Sequence, residues 1–115
     1  MKNAALGLAL LALASCGAGA PAYAHSAMSG WTYPIECCAL NDCAEIAPGA
    51  VQETPAGYVV TVHPGTHPMW GKERPAPLVV RIPYRDAKPS PDGKWHLCIG
   101  PSGNALCFFS VVGGS

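Results

Sequence analysis

The sequence predicts a mostly β protein: a small barrel or roll of about five strands, with a short N-terminal helix stapled on by disulfides, after a signal-peptide helix. Three observations predict this. Short runs rich in β-branched and aromatic residues alternate with turn formers, 13 Gly and 12 Pro in 115 residues. Six cysteines occur in so short a chain, as expected where a small core needs cross-links. An apolar stretch, Ala4 to Ala14, follows a single early Lys2, which has the length and flank of an export signal and falls short of the roughly 20 residues that cross a bilayer.

Taken in chain order, residues 1–24 read as the signal peptide, 25–30 as a flexible N-terminal segment and 31–115 as one disulfide-stabilised β domain. Two processing sites compete. Ala22-Tyr23-Ala24 is an A-x-A site that frees His25 as the first residue. Leu13-Ala14-Ser15-Cys16 instead has the form of a lipobox, in which Cys16 carries the lipid and the product is a membrane-anchored lipoprotein. Both routes lead out of the cytoplasm, to a periplasmic, secreted or surface-tethered protein. Without Lys2, six basic residues face seven acidic ones. Nucleic acid is therefore not expected as a partner, and a membrane only through lipid on Cys16.

Pro34 can begin a short helix through Leu40, with Glu36 in its first turn. Val51–Thr54 and Tyr58–Val62, joined by Pro55-Ala56-Gly57, read as a hairpin, and Leu78–Ile82 as a further strand. Four prolines and two glycines make Pro64 to Pro77 a loop. Ser90-Pro91-Asp92-Gly93 has the chemistry of a tight turn. The last hairpin joins Trp95–Ile99 to Ala105–Phe109. Pairing Gly100 with Ala105 sets Ile99 against Leu106, Leu97 against Phe108 and Cys98 against Cys107, with the large apolar groups on one face. His96, Cys98, Cys107 and Phe109 take the other.

Cys37, Cys38, Cys43, Cys98 and Cys107 are the disulfide candidates. Adjacent Cys37 and Cys38 sit too close to bond each other. Either Cys98 joins Cys107 across the hairpin while Cys43 takes Cys37 or Cys38, or both hairpin cysteines reach the N-terminal cluster. The second is favoured, because that cluster holds little else to bury it. One of the five is left over, and His96 beside Cys98 on one strand is a weak thiol–base pair without an orienting third group. No catalytic constellation emerges, and the chain reads as non-enzymatic.

A cofactor is not expected, with one exception. A free amine at His25, its ring nitrogen and a second imidazole from His63, His67 or His96 would suit copper. Met69 and Trp70, in the Pro-rich loop, could anchor a protein or envelope partner; equally, Trp70 can fold back to cap the end of the barrel. Arg81 and Arg85 could face carboxylates such as Glu36 or Glu45.

The pattern Trp31-x-Tyr33-Pro34-x-Glu36-Cys37-Cys38 with Asp42-Cys43, then Ser90-Pro91-Asp92-Gly93, His96-x-Cys98 and Leu106-Cys107-Phe108-Phe109, resembles a group of small exported alphaproteobacterial proteins. The resemblance spans Trp31 to Val111. It implies an exported, disulfide-bearing β domain and transfers no catalytic role. Residues Ser26 to Gly30 and a long Pro64–Pro77 loop set this chain apart from the group.

Overall fold

A computed structural model describes residues 25–38 and 41–111. The expected signal-peptide helix, Cys16 and residues 39–40 lie outside the described residues. The chain is mostly β, with two antiparallel hairpin systems. Strand β1 (Cys43–Ile46) leads into a 3₁₀ turn, Pro48–Ala50. Then come β2 (Val51–Thr54), β3 (Gly57–Val62) and β4 (Leu78–Ile82). A second 3₁₀ turn, Tyr84–Asp86, precedes β5 (Lys88–Pro89), β6 (Trp95–Ile99) and β7 (Ala105–Ser110).

The strands form two sheets, ordered β1-β6-β7-β5 and β2-β3-β4, instead of a closed barrel. Closure fails at β5. This strand is two residues long and runs parallel to the end of β7, pairing Lys88 with Phe109 and Pro89 with Ser110. Pro89 has no N–H to extend a ladder, which confines it to an edge.

The sheets meet over one apolar core. Val60 and Val62 of β3, Val80 and Ile82 of β4, Leu97 and Ile99 of β6, Phe108 of β7 and Ile46 of β1 pack there. These are alternate positions on each long strand, as the two-residue side-chain period requires. The β2–β3 hairpin turns where expected. Gly57 has φ +138°, and a Cβ there would meet the Ile82 carbonyl oxygen at 2.4 Å, so only glycine fits beside β4.

A second cluster lies on the other face of β6 and β7: Cys98, Cys107 and Phe109, covered by Ala27, Tyr33, Cys37 and Cys38, with Trp31 packed against them. The N-terminal segment is thus the lid of this face. Residues 25–30, expected to be flexible, are folded: Ala27 is buried, its N–H donates to the Trp31 carbonyl at 2.8 Å, and Ser26 bridges to Thr32. Over the described part of the expected helix, 34–38, the chain forms a turn, in which the Pro34 carbonyl accepts from the N–H groups of Cys37 and Cys38 at 2.9 and 3.1 Å. A single turn fixes many dihedrals for few hydrogen bonds, and here disulfide and packing hold it.

The last hairpin departs from the expected register at one place. Leu97 faces Phe108 and Cys98 faces Cys107, but Ile99 faces Ala105, with a bulge between. The extra residue is Leu106. It leaves the core for the surface and is 42% exposed.

Candidate functional site

Two disulfides join the N-terminal cluster to the last hairpin, Cys37–Cys107 and Cys43–Cys98. Cys43 and Cys98 are direct partners in the β1–β6 register, so strand pairing itself presents the two sulfurs to each other. Cys98 is thereby removed from any thiol–base pair with His96. Cys38 enters neither bond and is 1% exposed. Its Sγ lies 3.0 Å from Nδ1 of His25.

Along the edge of the lid runs a part-buried polar network centred on Asp92, a residue that the sequence shows only as part of a turn. Its Oδ1 accepts from Ser90 Oγ at 2.8 Å, from the Lys94 N–H at 3.0 Å and from His96 Nε2 at 2.8 Å. Its Oδ2 accepts from Ser29 Oγ and from Trp31 Nε1 at 2.5 and 3.0 Å. Burial pushes the Asp92 carboxyl up, but the hydrogen bonds from Ser29, His96, Ser90 and the Lys94 N–H outweigh it and hold the group well below the usual carboxylate range. His96, fully buried, accepts at Nδ1 from the Tyr33 hydroxyl at 2.8 Å. Burial, reinforced by the negative charge of Asp92, pushes the Tyr33 phenol well above its ordinary value. The chain Tyr33–His96–Asp92 continues to Ser29 and Trp31 and so ties the lid to β6.

His67 is also buried and engaged at both nitrogens. Nε2 donates to the Leu97 carbonyl at 2.8 Å, and Nδ1 accepts from the Met69 N–H at 3.1 Å. Burial lowers its pKa; the Leu97 carbonyl and Asp42 oppose the shift, and His25 adds to it. Both ring nitrogens of His67 and of His96 thus have hydrogen-bond partners within the fold. His63 is exposed, and its carbonyl accepts from Thr66 N–H and Oγ1 at 3.0 and 2.7 Å. Among the described residues no group of three or more His, Cys, Asp or Glu side chains is placed to hold a metal.

Met69 and Trp70 are half-buried against the inter-sheet core. Trp70 donates its indole N–H to the Ala76 carbonyl at 2.9 Å, and the Arg74 guanidinium covers its ring at 4.2 Å. Trp70 thus folds back onto the inter-sheet core.

A groove of about 420 Å³ opens instead between the two sheets. One wall is the end of β4, Arg81 and Ile82 with Pro83 beyond; the other is Ala105 to Phe108 of β7. Both walls are strand edges: β4 is the last strand of its sheet, and β5 covers β7 only at Phe109 and Ser110. The outer edge of Ala105 to Cys107 therefore has no strand neighbour among the described residues. Glu36, Arg81, Asp86 and Lys88 supply two charges of each sign. Nothing in sequence spacing could have revealed this groove, which depends on the shortness of β5 and the bulge at Leu106.

No family model matches the chain, and no curated protein or solved structure matches it either.

Proposed function

We propose that the chain is an exported, non-enzymatic binding domain that takes an extended segment of a protein partner into the groove between β4 and β7. Two disulfides suit an oxidising compartment. The observation that carries the reading is the uncovered edge of β7, facing the edge of β4 across a groove lined by Leu106 and Phe108. A strand edge offers its N–H and C=O groups in a fixed row, and an added extended segment satisfies them. The added segment would continue the line on which β5 stops. The balanced rim of Glu36, Asp86, Arg81 and Lys88 favours a polypeptide of mixed charge over an anionic envelope polymer.

The test is selection of phage-displayed peptides against the oxidised protein, with the footprint read from backbone amide shifts by NMR. Shifts concentrated in Ala105–Cys107 and Leu78–Ile82, abolished by Leu106→Arg, support the reading. Failure to select any peptide, a footprint on the His63–Trp70 loop, or self-association with a second copy in the groove overturns it.

A further inference from the structure

Cleavage after Ala24, expected from the A-x-A site, would place a free amine on His25, three bonds from a ring that the fold already holds against a thiol. From this juxtaposition we infer that the mature chain binds one Cu(I) ion through Cys38 Sγ, His25 Nδ1 and the His25 amine. The site lies within the lid, apart from the β4–β7 groove, and does not rest on the binding function proposed there.

Both side-chain donors are positioned by the fold. The His25 carbonyl accepts from the Tyr33 N–H at 3.3 Å, and its ring packs on Tyr33 with centroids 5.1 Å apart. Cys38 is fixed by its N–H on Pro34 and by its neighbour Cys37, which is bonded to Cys107. The donor set suits the ion: thiolate with imidazole is a soft pair of the kind that binds Cu(I). The geometry is close to what an ion requires. Bonds of about 2.0 and 2.3 Å at a tetrahedral angle set N and S about 3.5 Å apart, against the 3.0 Å observed. Half an ångström of outward movement by the half-buried His25 supplies the difference. The ion would enter from the side of that ring, and the thiol proton would leave as the metal arrives. Burial of Cys38 would then shield its thiolate from the oxidants that formed the two disulfides.

Of the imidazoles expected to join His25, His67 and His96 have both nitrogens engaged, whereas the Cys38 thiol already lies against the His25 ring. The test uses the mature chain starting at His25, titrated anaerobically with Cu(I) against a chromophoric Cu(I) chelator. The expected result is one equivalent bound, with affinity falling by at least about 100-fold in Cys38→Ser and in His25→Gln. A glycine inserted ahead of His25 weakens binding by removing the amine chelate. X-ray absorption at the copper edge of the unaltered protein shows one sulfur among nitrogen ligands, a readout that holds even if Cys38→Ser fails to fold. No competition with the chelator, affinity unchanged in both substitutions, or a copper shell without sulfur overturns the assignment.

Discussion

Asp92 concentrates more of the fold's polar chemistry than any other single side chain described. Five donors converge on its two oxygens, from the turn, from β6 and from the lid. The substitution Asp92→Asn leaves an oxygen for the turn and His96, but its amide cannot accept from Ser29 and Trp31. Hydrogen bonds to a charged group contribute about 1.5 to 3 kcal/mol each, so a loss of about 2 to 3 kcal/mol is expected in urea unfolding. The pH profile carries the sign. The folded carboxyl titrates below its ordinary 3.8, so the unfolded chain takes up that proton first. The stabilisation is complete above that value and is lost as pH falls through the depressed one. Asp92→Asn removes that acid-limb loss. His67, held below its ordinary 6.5, adds an earlier loss as pH falls from that value, and it persists in Asp92→Asn. None of this was legible in the sequence. Ser90-Pro91-Asp92-Gly93 announces a turn, and the turn is there, but the donors Ser29 and Trp31 lie more than 60 positions away.

At the scale of elements, the β-branched runs and the Gly/Pro punctuation located β2, β3, β4, β6 and β7, because those strands alternate around a core that the period-two pattern reports. β1 was missed: Cys43-Ala44-Glu45-Ile46 has little β propensity and is a strand because β6 and the Cys43–Cys98 bond hold it there. The hairpin register was legible up to Cys98. Past it, the bulge is a local backbone choice that no side-chain period records. The bulge yields a sharp expectation. Leu97→Ala should cost about 2 to 5 kcal/mol, as for a buried leucine, while Leu106→Ala should stay within about 0.5 kcal/mol of the parent. Equal costs in chemical denaturation would mean that Leu106 returns to the core in solution.

For the whole molecule, composition was informative about covalent architecture and silent about the groove. A small chain with clustered cysteines at one end and a cysteine-bearing hairpin at the other is closed upon itself by Cys37–Cys107 and Cys43–Cys98. If export follows the A-x-A site, intact mass of the protein from its native host, alkylated without reduction, shows a chain starting at His25 with two disulfides and one alkylated thiol after unfolding. A chain starting at a lipidated Cys16 would remove the amine that the copper site uses and leave the groove untouched. The two bonds span 70 and 55 positions, and that span governs how the protein can mature. On the proposed export route, a polypeptide threaded N-terminus first presents Cys37, Cys38 and Cys43 together, long before either native partner emerges. Premature oxidation can join Cys43 to either of its near neighbours, and each such loop must be reopened by thiol exchange. Correct maturation therefore waits on the last strand to emerge, and its yield should depend on a disulfide isomerase more than on the supply of oxidant.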